Sequence, residues 1–137
     1  MTHIDYKKVN EYEQSIKQLS LLDKDFLENL SCDRKRIKVK GDHFSVVVLG
    51  NEVSSEAKEV IVDDKLYMQY RLVSGYKDEV IEVAKIYLGT GGYIYSQPDH
   101  FESPDDRLGD YDDFKVVSQI YNLIATGVVN SKIFAID

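Results

Sequence analysis

The sequence predicts an α+β fold: an antiparallel meander of about five to six strands, flanked by an N-terminal helical segment and a C-terminal helix. Three observations lead there. Apolar residues recur at three- and four-residue multiples near both ends, which is the period of a helix with one buried face. Between those ends, β-branched and tyrosine-rich runs follow one another across connections too short to hold a crossover helix, so neighbouring strands must be antiparallel. Finally, the 137 residues contain only 2 prolines and 8 glycines, with no Ser/Gly-rich or repetitive tract between two halves, which predicts a single globular domain over 1–137.

The first helical segment spans about Asp5 to Leu30, with Tyr12, Ile16, Leu19, Phe26 and Leu30 on one face. A break near Leu21 or Leu22 is expected, because Asp23 has the chemistry of a helix cap. From Arg34 to Lys40 basic and apolar residues alternate, which is a strand pattern. With Gly41-Asp42 and the run His43 to Gly50 it forms a first hairpin. Asn51 to Ala57 is polar and reads as a loop. The runs 58–62 and 66–73 then flank a turn at Asp63-Asp64-Lys65, and Ser74 to Lys77 reads as another loop.

The central hairpin runs from Glu79 to Gln97 and turns at Gly89-Thr90-Gly91-Gly92, since glycines tolerate the positive φ of tight turns. Pairing Gly89 with Gly92 sets Leu88 opposite Tyr93 and Ile86 opposite Tyr95, all four on one side. An acidic loop follows to about Asp110, where Asp110 or Asp112 caps a helix lined by Phe114, Val117, Ile120, Tyr121 and Ile124. Gly127 is placed as its C-cap, and residues 128–137 read as a last strand.

Charge is unevenly distributed. Of 24 acids, seven (Asp99, Glu102, Asp105, Asp106, Asp110, Asp112 and Asp113) lie between Asp99 and Asp113 beside one base, Arg107. The rest of the chain carries 17 acids against 16 bases, so nearly all of the net charge of −7 sits in one segment. Such a balance disfavours sequence-independent nucleic-acid binding, because phosphates repel it. No apolar run approaches the roughly 20 residues of a membrane span, and the first residues lack a signal peptide's apolar core. The single Cys32 can form no internal disulfide, so a cytoplasmic protein is expected.

Motifs for chemistry are sparse. His43-Phe44-Ser45 resembles one His-x-Ser/Thr element of the two-histidine phosphoesterases, but His100-Phe101-Glu102-Ser103 sets its hydroxyl one position late, on the opposite side of a strand. The aspartates lack the alternate acids, central glycine and closing glutamate of an EF-hand, and no Cys/His spacing suits zinc, so no metal and no cofactor are expected. Gly89 to Gly92 lacks the Lys-Ser/Thr of a phosphate loop. The basic run Arg34, Lys35, Arg36, Lys38 and Lys40 reads as the solvated face of an edge strand, with phosphate contact as the alternative.

No residue is therefore assigned a catalytic role. The expected function is that of an inhibitor or immunity-type protein that neutralises a basic partner, such as a toxin or nucleic-acid-processing enzyme, through Asp105, Asp106, Asp110, Asp112, Asp113 and Tyr111, with tyrosines supplying contact area. One alternative is a nucleotide or phosphoester enzyme or sensor that uses His43, Ser45 and His100 near the basic strand. A second is a structural subunit joined through an open sheet edge.

Overall fold

The computed structural model describes residues 4–97 and 106–134. Helix α1 spans Tyr6–Leu30, with Asp5 as its N-cap accepting from the Lys8 amide at 2.8 Å. It runs unbroken through Leu21 and Leu22, so no second helix starts at Asp23; that carboxylate is committed to a tyrosine across the core instead. The buried face comprises Leu19, Leu22, Phe26, Leu27 and Leu30, whereas Ile16 remains 42% exposed.

Seven strands follow in sequence order: β1 Ile37–Lys40, β2 His43–Val48, β3 Asn51–Val62, β4 Lys65–Tyr76, β5 Glu79–Gly89, β6 Tyr93–Tyr95 and β7 Arg107–Asp110. All pairs are antiparallel, β1 and β7 form the two edges, and helix α2, Phe114–Val129, closes the described chain. The α+β meander is thus as the sequence predicts, with more strands. Three pieces of strand come from segments read as loops: two lengthen expected strands and one is a strand of its own. Asn51 to Ala57 is the start of β3, where inward Val53 and Ser55 alternate with outward Glu52, Ser54 and Glu56. A serine in the inward row hides the two-residue period, yet Ser55 is buried and its hydroxyl accepts from the Phe44 amide at 2.9 Å. Residues 107–110, inside the expected acidic loop, pair with β6 as an edge strand. Likewise Ser74 to Tyr76 belongs to β4, leaving the reversal to Lys77 and Asp78.

The central hairpin differs by one residue from its expected register. Leu88 lies opposite Ile94, and Tyr87 opposite Tyr95, because the loop holds three residues rather than two. The Gly92 amide donates to the Gly89 carbonyl at 3.0 Å, and Gly92 takes φ +89°, as the last position of such a three-residue loop requires. A one-residue shift turns side chains to the other face. Ile86, Leu88 and Ile94 therefore join the core, while Tyr67, Tyr87 and Tyr95 form a second cluster on the outer face.

Both helices contribute to one core with the inward rows of the sheet, centred on Phe26, Phe44 and Tyr70. In α2 the buried stripe is Val116, Val117, Ile120, Ile124 and Val128; Tyr121 is half-buried under the Arg36 guanidinium, and Phe114 points outward. The helix runs on past Gly127, so that glycine is not a C-cap. It sits where α2 meets β5, and a Cβ there would lie 1.9 Å from the Val83 carbonyl oxygen. Asn130 takes the cap position, and the last strand expected over 128–137 is replaced by helix to Val129 and turn to Phe134; its final three residues lie outside the described ones. Among the described residues, no helix is long and apolar enough to cross a membrane.

Candidate functional site

The described part of the acidic segment, residues 106–113, forms the edge strand β7 and the turn into α2. The Asp106 carbonyl accepts from the Ser96 amide at 2.8 Å, and the next residue, Arg107, stacks its guanidinium 3.8 Å from the Tyr93 ring centroid. Asp110 ends β7 opposite Tyr93, and its carbonyl accepts from the Asp113 amide at 3.1 Å. The turn that follows is held from below by α1. Asn29 Nδ2 donates to the Tyr111 carbonyl at 3.1 Å and to the Asp113 carbonyl at 3.0 Å. Two backbone acceptors at a turn are thereby satisfied by one side chain, which holds the turn in place.

Asp113, rather than Asp110 or Asp112, caps α2: its carboxylate accepts from the Lys115 amide at 2.9 Å. Its charge also meets the positive end of the helix dipole, so this acid has a structural use. Tyr111 is half-buried, donates its amide to the Gly92 carbonyl at 2.8 Å, and lays its ring over Gly92. The remaining acids face solvent: Asp110 and Asp112 are exposed, Asp106 is half-exposed, and among the described residues none of the three makes an ion pair. Asp105 lies outside the described residues. Beside these carboxylates stands Phe114, 67% exposed at the first position of α2. The sequence reading set it in the core by its helical spacing, although its place directly after the cap leaves it ahead of the buried stripe.

The expected tyrosine contact area is smaller than the sequence suggests. Tyr70 is a core residue, and Tyr67, Tyr87 and Tyr95 are buried against one another, with Gly89 giving room for the Tyr67 and Tyr95 rings.

One interaction was not anticipated. The Tyr70 hydroxyl donates to Asp23 Oδ1 at 2.5 Å beneath α1. Burial raises the Asp23 carboxyl above its ordinary value; the bond from Tyr70 opposes this, and the charges of Asp42 and Glu59 add to it. The Tyr70 phenol is likewise driven up by burial and by the neighbouring carboxylate. The only trace in the sequence is an acid set within an apolar stripe, between Leu22 and Phe26.

Among the described residues, the other chemical candidates stand apart from one another. His43 is exposed at the start of β2, with Nδ1 3.5 Å from Asp42, and His100 is outside the described residues. Cys32 is exposed after α1, its thiol 3.7 Å from the Glu28 carbonyl. Among the described residues, no group of three His, Cys, Asp or Glu side chains is arranged to hold a metal. The fold and its exposed features define an α+β meander domain with an acidic edge and an aromatic residue beside it. No family model matches the chain, and no curated protein or solved structure is significantly similar to it.

Proposed function

We propose that this chain is a protein-binding inhibitor of the immunity type that neutralises a basic partner in the cytoplasm. The observation that carries the reading is the exposed Phe114 at the start of α2, directly after a turn that carries the exposed Asp110 and Asp112 and is held by Asn29. Interfaces take most of their affinity from a few central aromatic or arginine anchors, while rim charges govern encounter rate and partner choice. Phe114 is suited to the first role and Asp106, Asp110 and Asp112 to the second. A partner rich in Lys and Arg at its own nucleic-acid site would meet carboxylates in place of phosphates, and would be blocked by competition.

The test begins with capture from the native cell lysate, using wild type and two variants as bait: Phe114→Ser, and a triple variant with Asp106, Asp110 and Asp112 changed to Asn. Phe114, Asp110 and Asp112 are exposed and Asp106 is partly exposed, so the fold should be retained, which circular dichroism checks. A stoichiometric basic protein held by wild type and lost from both variants supports the proposal. A partner held equally by all three baits, or none at any salt concentration, refutes it.

A further inference from the structure

On the outer face of the sheet, at the edge opposite the acidic one, a depression of about 180 Å³ is lined by Lys38, Lys40, His43, Ser45, Val47, Glu52 and Ser54. The two-residue period of three successive strands brings them together. Register sets Lys38 beside Ser45 and Ser45 beside Ser54 in one row, with Lys40 beside His43 in the next. The residues between them, Ile37, Phe44, Val46 and Val53, point the other way into the core, so the lining residues have a rigid base.

What distinguishes this depression is its unspent donors. The other strand serines are used inside the protein: Ser55 accepts from an amide, and Ser74 donates to the Glu52 carbonyl at 2.9 Å. Among the described residues, the hydroxyls of Ser45 and Ser54 have no such partner, and neither Lys38 nor Lys40 makes an ion pair. His43 has only the long 3.5 Å approach of its Nδ1 to Asp42, which leaves Nε2 available. Two ammonium groups, one imidazole and two hydroxyls thus surround a space large enough for one tetrahedral anion. Val47, 55% exposed on the same face, gives that space an apolar side. Glu52 is the one acid in the lining, and it opposes an anion there.

We infer that this depression binds the phosphate of a small phosphomonoester, with Lys38, Lys40, His43, Ser45 and Ser54 donating to its oxygens and Val47 contacting the organic group. A nucleic-acid backbone fits less well, because it needs a continuous basic track, and here Glu52 and Asp42 border the cations on a chain of net charge −7. This surface is separate from the acidic edge and does not depend on its reading.

The experiment is titration of the ¹⁵N-labelled protein by NMR with inorganic phosphate, phenyl phosphate and a short oligothymidylate, each against sodium chloride at matched ionic strength. Saturating shifts confined to residues 38–47 and 52–54 are expected, with dissociation constants of roughly millimolar order and phenyl phosphate the tightest. Replacing Lys38 and Lys40 with Ala should weaken binding by roughly tenfold, while Glu52→Gln should tighten it by about threefold. All three positions are exposed, and the opposite directions separate a binding effect from damage to the fold. The inference is overturned by shifts that sodium chloride reproduces, by shifts centred elsewhere, by unchanged affinity in both variants, or by oligothymidylate binding more tightly per phosphate than phenyl phosphate.

Discussion

Gly127→Ala is the most discriminating change for the packing of α2. In an exposed helix this substitution would stabilise by about 1 kcal/mol, since alanine is the better helix former. Here the added methyl would sit 1.9 Å from the Val83 carbonyl oxygen and 2.8 Å from its carbon, and Val83 lies at the irregularity where β5 shifts register against β4. A carbon and a carbonyl oxygen rest at about 3.3 Å or more, so α2 must move outward by more than about 1 Å. The contact is with backbone, so no side-chain rotation relieves it. Outward movement lifts Ile120, Ile124 and Val128 from fully buried positions. Overpacking typically costs about 1–3 kcal/mol, and a backbone contact this short belongs at or above the top of that range, so the helix-propensity gain of about 1 kcal/mol offsets only part of it. A net loss of about 2 kcal/mol is expected, or a melting temperature lower by roughly 6–10 °C for a chain of this length. Urea unfolding, analysed for a change in midpoint at constant slope, measures it directly. A neutral or stabilised Gly127→Ala variant would refute the close approach of α2 to β5.

Other consequences follow from the inner contacts. Tyr70→Phe removes the donor to Asp23 while keeping the ring between Phe26 and Phe44, and should cost about 1–2 kcal/mol in urea unfolding. Asp23 also sets a pH dependence. Because its carboxyl is raised in the folded state, the folded protein holds that proton better than the unfolded one, so this group's contribution to stability grows as pH falls from neutrality through the raised value and levels off below the ordinary 3.8. Asp23→Asn abolishes that contribution. The stability of wild type relative to this variant should therefore increase between pH 7 and pH 4, and a constant difference would contradict it. Asn29→Ala should cost about 1–2 kcal/mol through the two freed carbonyls and raise hydrogen exchange at the amides of residues 111–115.

How much of this was legible depends on where the period of the side chains survives. The alternation of Leu66, Met68, Tyr70 and Leu72 places the body of β4, because its inward row is apolar there; the row ends in a buried Ser74 opposite Val53, and from that residue on the strand reads as a loop. β3 was half lost, since Ser55 occupies an inward position and its hydrogen bond to the Phe44 amide is a tertiary property. The hairpin register failed by one residue: Gly89-Thr90-Gly91-Gly92 is compatible with loops of two or three residues, and the choice is made by burying Ile94 rather than Tyr95 in the helical core. Gly127 has the composition of a helix end; only the approach of β5 gives it another purpose. At the candidate site, the acids are visible as a charge run, but three aspartates within four residues, Asp110, Asp112 and Asp113, compete for one cap. The exposure of Phe114 could not be read from helical spacing, which places it on the same face as Val117 and Ile124.

We propose a division of labour at one surface, with the carboxylates governing encounter and Phe114 governing persistence. Its most direct measurement is the association and dissociation rate of the captured partner against wild type, Phe114→Ser and the triple Asp→Asn variant, at salt concentrations from about 50 to 300 mM. For wild type the association rate should fall by about tenfold across that range, while the triple variant should start low and change little. Phe114→Ser should keep the salt dependence of wild type and dissociate at least about tenfold faster. Equal salt slopes for wild type and the triple variant, together with unchanged dissociation of Phe114→Ser, would place the interface elsewhere and contradict the account.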